Sequence, residues 1–344
     1  MITRRLFIGT AVLAVLACGA TRVEARERAA PRPPITGTFI QYQDWMMKLD
    51  EAAWRRELDA MRRAGISVVI VQWLQLDNAS FIPRDERAPD PTRVILEYAD
   101  THDMRVYVGL SYADFWWKRL RDEQYLYRAF DRSAHVAREA WKRYGRHRSF
   151  SGWYLPQEIK EANYPPQYII RLHDFLKRLG DYCRSLSGGK PVAIAPAMLG
   201  LNSLDQIQRE YTALLLGSGV DILILQDGIG ARDWGPDLEN QIAQHFSVVH
   251  NACRTAGVAM WSDVEIFRHG ATPAVSVPAP IARIRKQIAA EAPFVTSFVM
   301  FDFFHYMSPY RGEAQKRLYD DYLREFVTAG ETGPHGPPAG GGPR

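Results

Sequence analysis

Between residues 36 and 328 the hydrophobic pattern switches repeatedly between two periods. Short runs rich in β-branched and aromatic residues occupy 37–42, 66–73, 104–111, 151–156, 191–198, 220–226, 258–264 and 297–303. Two of them, Val68-Val69-Ile70-Val71 and Ile222-Leu223-Ile224-Leu225, are apolar at every position. That is the pattern of a parallel strand covered on both faces. Amphipathic stretches of helical period lie between the runs, at 51–64, 91–102, 125–144, 166–186, 203–216, 238–256 and 278–292, and a last one follows at 313–327. In the first of these Trp54, Leu58 and Met61 fall on one stripe. Gly65, Gly217, Gly219 and Gly257 stand just before the next strand, where a left-handed residue closes a helix.

Eight strands alternating with eight helices predict a single-domain (β/α)8, or TIM, barrel over residues 36–328. An open doubly wound sheet would share the alternation. No Gly-x-Gly-x-x-Gly follows the first run and no phosphate loop is present, so the sequence points to no nucleotide cofactor.

The ends read differently. Thr3-Arg4-Arg5-Leu6-Phe7-Ile8 is a twin-arginine pattern, and the apolar run it opens, residues 6–17, is too short to span a bilayer. Residues 1–25 therefore read as a signal peptide for export to the periplasm or beyond. Two processing sites stay open. Val23-Glu24-Ala25 suits ordinary cleavage, whereas Val15-Leu16-Ala17-Cys18 suits a lipobox that would leave a lipid anchor, not a span, at Cys18. Residues 26–35 read as a charged, proline-rich linker and 329–344 as a Gly/Pro-rich disordered tail.

Composition narrows the function. The chain is 47% hydrophobic and 12% aromatic, enough for a large core. Its net charge of +4 includes several arginines of the leader and linker, which leaves the fold nearly neutral and argues against a nucleic-acid partner. Besides Cys18 there are only Cys183 and Cys253, both in predicted helices, which read as buried free thiols and not as a zinc site.

The active site of such a barrel is built where its strands end. Those ends carry Gln41, Gln72-Trp73, Tyr112, Tyr154 with Gln157 and Glu158, Asp227, Trp261 with Glu265, and Asp302 with His305-Tyr306. A single aromatic residue at a barrel mouth can be a core plug. Aromatic and amide side chains recurring at nearly every strand end suit a carbohydrate cleft, where rings stack on sugar C–H faces and amides bind hydroxyls. Gln41, Gln72, Trp73, Tyr112, Tyr154, Gln157, Asp227, Trp261, Asp302 and Tyr306 are accordingly the candidate saccharide-binding residues. Glycoside hydrolysis also needs two carboxyl groups on opposite sides of the bond. Glu158 after the fourth strand and Glu265 after the seventh meet that need, with Asp227 and Asp302 able to replace either or to tune Glu265.

In architecture the chain resembles the clan of retaining TIM-barrel glycosidases. More closely it resembles the domain-of-unknown-function family 4434, regarded as glycosidase-like barrels. The residues that carry the likeness run from Gly37-Thr38-Phe39-Ile40-Gln41 to Trp261-Ser262-Asp263-Val264-Glu265. They include the motifs Gly152-Trp153-Tyr154-x-x-x-Glu158 and Gln226-Asp227-Gly228-x-Gly230. The clan resemblance implies Glu158 as acid/base and Glu265 as nucleophile. Where the clan has an Asn that binds the sugar 2-hydroxyl, this chain has Gln157, a longer amide that implies a changed register for that bond. The expectation is an exported, retaining glycoside hydrolase acting on an extracellular or envelope polysaccharide. A catalytically silent glycan-binding barrel of a polysaccharide export or biofilm system is the alternative. Metal-assisted deacetylation through Asp302 and His305 ranks below both, because no His-rich cluster supports it.

Overall fold

Eight short parallel strands close on themselves in the computed structural model, which describes residues 34–328 except positions 86, 114, 115, 162, 163, 233, 271, 273 and 274. The signal peptide, all but the end of the linker, and the tail read from the sequence lie outside the described residues. The strands are β1 (Ile35–Ile40), β2 (Val68–Val71), β3 (Arg105–Gly109), β4 (Phe150–Leu155), β5 (Val192–Ile194), β6 (Ile222–Gln226), β7 (Ala259–Glu265) and β8 (Phe298–Phe301). Each pairs with its successor, and β8 returns to β1. The main helices are α1 (Glu51–Arg63), α2 (Pro91–Thr101), α3 (Glu123–Tyr144), α4 (Pro166–Ser187), α5 (Leu204–Leu215), α6 (Leu238–Ala256), α7 (Ile281–Glu291) and α8 (Glu313–Tyr322). The (β/α)8 barrel and all sixteen of its elements lie where the periodicity puts them.

The differences are at boundaries and have local causes. The linker ends early, because β1 already begins at Ile35. Helix α3 starts at Glu123, two residues before the apolar stripe, because the Asp122 carboxylate accepts from the Tyr125 N–H and caps the first turn. Asp50, Asp90 and Ser203 cap α1, α2 and α5 in the same way. The fifth run shrinks to Val192–Ile194 since Pro196 has no N–H to give a ladder.

Two apolar layers result. Phe39, Ile70, Tyr107, Tyr154, Ile224, Trp261 and Val299 fill the barrel lumen. Alternate strand residues face outward onto the helices, where Trp54, Leu58 and Met61 of α1 are buried as the stripe requires. Cys183 on α4 and Cys253 on α6 are buried and unbridged, and burial pushes each thiol up to about 12. Among the described residues no helix is long and apolar enough to cross a membrane.

Candidate active site

The side-chain period of two in β7 sends Trp261, Asp263 and Glu265 toward the lumen and Ser262 toward the helices. Register with β6 sets Asp263 beside Gln226, and register with β8 sets Glu265 beside Phe301. Above the apolar filling of the barrel these residues line a cavity of about 370 Å³. Gln41, Gln72, Trp73, Tyr112, Tyr154, Glu158 and Glu265, seven of the sequence candidates, line it together. Trp73 and Tyr112 are stacked at 5.7 Å with their planes 11° apart, and the Trp73 indole is fixed by donating to the Tyr42 carbonyl. A wider groove adjoins the cavity and shares Gln41 and Trp73 with it, continuing over Gln43, Trp45 and Asn78.

Glu265 is held by the turn that follows β6. Its Oε2 accepts from the Gly230 N–H at 2.6 Å and from the Ala231 N–H at 2.9 Å. Both glycines of the Gln226-Asp227-Gly228-x-Gly230 motif are needed for that approach. Gly228 has φ +66°, and a Cβ there would meet the Met198 carbonyl oxygen at 2.3 Å. A Cβ on Gly230 would lie 2.6 Å from the Phe267 carbonyl oxygen. The motif is thus a cradle for a carboxylate.

Behind Glu265 lies a buried polar stripe that apolar periodicity does not reveal. Arg283, Gln287 and Glu291 follow one another at every fourth position of α7, on the face turned to the barrel. Arg283 donates to the Glu265 and Phe267 carbonyls at 2.5 and 2.6 Å. Gln287 donates to Asp227 at 2.5 Å, and Glu291 bonds the Ser262 hydroxyl. Asp227 in turn accepts from the Ile229 N–H at 3.1 Å and the Glu265 N–H at 3.3 Å.

Burial raises both cavity glutamates. Glu158 is pushed up to about 7, against the lowering influence of the Lys160 charge and a hydrogen bond from Gln226. Glu265 is pushed up to about 8 by burial and by the neighbouring Asp227, against the two backbone N–H groups and Arg283. A carboxyl whose folded pKa lies above its unfolded one contributes stability that is complete below the unfolded value, ordinarily 4.5 here, and is lost as pH rises through 7. Glu158→Gln should therefore melt higher than the parent at pH 8, with the advantage vanishing near pH 4.5. Calorimetry across that range checks it, and equal melting temperatures at pH 8 would show that burial does not strain this carboxylate.

Five candidates stand elsewhere. Gln157 is turned away from the cavity and donates to the Ser111 carbonyl at 2.6 Å and to Ser133 of α3, so it is not available for the sugar contact implied by resemblance. Consecutive residues leaving β4 point to opposite sides, and Glu158 takes the inner one. Asp227 is wholly buried in the support behind Glu265. Trp261 lies two residues deeper along β7 than Asp263 and packs edge-on against Tyr107 in the lumen filling. Asp302 caps the short helix Phe303–Tyr306 and binds His305 Nδ1 at 2.7 Å. Tyr306 stacks on Phe267, which lines the cavity in its place. Among the described residues no group of three His, Cys, Asp or Glu side chains could hold a metal ion.

Two polar lining residues were absent from the sequence candidates, Asp263 and Gln226. Both were legible in principle. Asp263 shares the inward parity of Glu265, and Gln226 ends the all-apolar sixth strand with a single polar residue.

A closed parallel barrel with an aromatic and amide-lined cavity at its C-terminal mouth defines a glycoside-hydrolase-like (β/α)8 protein. Residues 35–313 match the family described as "Domain of unknown function (DUF4434)", and the chain belongs to it. Among solved structures it is similar to a protein from Bacteroides thetaiotaomicron VPI-5482 proposed to be an alpha-L-fucosidase. That match has a TM-score of 0.70 and 24% identity, and it covers 88% of this chain and 99% of the other; it establishes the fold. The chain is also similar to the intracellular xylanase of Thermoanaerobacterium saccharolyticum JW/SL-YS485, at 13% identity and a TM-score of 0.47, over 79% of this chain and 86% of the other. None of the curated proteins matches the sequence.

Proposed function

We propose that the protein hydrolyses an O-glycosidic bond in a polysaccharide, with retention of configuration. The observation that carries this reading is that Glu158, from the end of β4, and Glu265, from the end of β7, open onto one cavity. Glu158, whose proton is held toward neutral pH by burial, donates it to the leaving glycosidic oxygen. Glu265, steadied by the Gly230 and Ala231 N–H groups, attacks the anomeric carbon and forms a glycosyl ester. Glu158, now ionised, takes a proton from the incoming water, whose oxygen displaces Glu265 and restores both groups. The stacked Trp73 and Tyr112 and the adjoining groove support a substrate longer than one sugar. The twin-arginine leader supports export, which would bring the enzyme to extracellular or envelope polysaccharide.

The experiment is incubation with a panel of purified polysaccharides, with the first-formed product anomer followed by NMR. Release of oligosaccharides with retained anomeric configuration is the expected result. Inverted products would exclude Glu265 as nucleophile. Binding without cleavage across the panel would make the protein a glycan-binding barrel instead.

A further inference from the structure

Asp263 is the acid that the proposed reaction leaves unused. Its side chain lines the cavity, the residue is only 1% exposed, and its Oδ1 has no hydrogen-bond partner. Gln72 Oε1, in the same lining, is also buried without a partner. Both unpartnered atoms are acceptors, or become so once the acid is ionised, and the occupant they ask for is rich in donors.

Charge points the same way. Glu158, Asp263 and Glu265 face one small space whose described lining holds no Lys, Arg or His. Arg283 offsets part of the Glu265 charge from behind β7, where its hydrogen bonds go to backbone carbonyls, but it puts no cation in the lining itself. Burial, and then the charges of Glu265, Asp227, Asp302 and Glu158, hold the Asp263 carboxyl well above the ordinary carboxylate range. A ligand carrying positive charge relieves that crowding, and one carrying negative charge adds to it.

We propose that Asp263 is a specificity-determining residue that receives the ammonium group of an amino sugar, and that the site takes saccharides with a free primary amine and excludes uronic acids. An ammonium offers three donors and no acceptor, the complement of a lining whose unpartnered buried atoms, Asp263 Oδ1 and Gln72 Oε1, both accept. A neutral sugar hydroxyl brings one donor and no charge. The inference rests on the cavity being a saccharide site, as proposed above, but not on hydrolysis.

The test is affinity, measured by titration calorimetry at pH 6 with methyl glycosides of glucosamine and galactosamine, of glucose and galactose, and of glucuronic and galacturonic acid. The better amine probe should bind about tenfold or more tightly than its hydroxyl counterpart, with the uronides weaker still. Asp263→Asn should bring the amine and hydroxyl probes within about threefold of each other, and Asp263→Ser provides the same comparison if the amide variant does not fold. Uronide or neutral probes binding as tightly as the amines, no binding of either amine probe, or an amine advantage kept in both variants would overturn the proposal. A protein that prefers amines and cleaves no glycan would refute hydrolysis alone. One that cleaves neutral glycans without an amine preference would refute this inference alone.

Discussion

Glu265→Gln and Glu158→Gln should each cost turnover on a cleaved glycan by several orders of magnitude while leaving the barrel folded. The two losses should differ in kind. Removing the nucleophile deletes the covalent route whatever the leaving group is, so Glu265→Gln should be inactive on natural and activated substrates alike. Removing the acid costs about 10²–10⁴ where the leaving oxygen needs a proton. It should cost far less in kcat/KM on an aryl glycoside whose phenolate leaves without one, while kcat stays low because Glu158 is also the base for the incoming water. The carboxamides are near-isosteres, and in Glu265→Gln the Gly230 and Ala231 N–H donors can still find the amide oxygen. Neither variant should therefore melt far below the parent at neutral pH. In the parent the competent form has Glu158 protonated and Glu265 ionised. With Glu158 pushed up to about 7 and Glu265 to about 8 it is a minority species, so activity should peak between those values and fall on either side. Near-native turnover in either variant, or equal losses of kcat/KM on both substrate types for Glu158→Gln, would remove the assigned roles.

How much of this the sequence reveals depends on how local the determining physics is. The barrel is legible because each strand and helix announces itself by its own period and its own caps, as at Asp50, Asp90 and Ser203. Glu158 and Glu265 are legible because position at a strand end is also local. Depth and side are less so. Parity places Trp261 and Asp263 on the same inward face, but only the closed register with β6 and β8 makes Asp263 a wall of the cavity and Trp261 its filling. Gln157 and Glu158 are adjacent polar residues in sequence, and the backbone leaving β4 turns one to donate to Ser133 and the other to the cavity. Asp227 could not be placed from its surroundings in the chain at all. What turns it behind β7 is Gln287, sixty residues further on, whose polar stripe with Arg283 and Glu291 has no partner visible in one dimension.

That stripe makes Asp227→Ala the most damaging substitution expected outside the cavity itself. Three donors end on this one carboxylate, from the Ile229 N–H, the Glu265 N–H and the Gln287 amide, and all are buried. Alanine leaves each without an acceptor, at about 1–3 kcal/mol apiece. One effect opposes the loss, because deleting a charge relieves its repulsion of Glu265, Asp263 and Glu291. That relief is smaller, since the raised pKa of each neighbour shows protonation already absorbing much of the conflict. The net should be about 3–5 kcal/mol, or roughly 10 °C of melting temperature for a domain of this size. Asp227→Asn keeps one acceptor oxygen and the repulsion relief, so it should lose less than half as much. Gln287→Leu removes one of the three donors to Asp227, together with the acceptor of Arg283 Nε, and should fall between them. The order alanine, leucine, asparagine, from least to most stable, distinguishes a hydrogen-bonded support from mere packing, because packing alone would make Gln287→Leu nearly neutral. Denaturant melts of the three variants read it directly. An Asp227→Ala protein within about 1 kcal/mol of the parent would mean that Glu265 is held by its Gly230–Ala231 cradle alone.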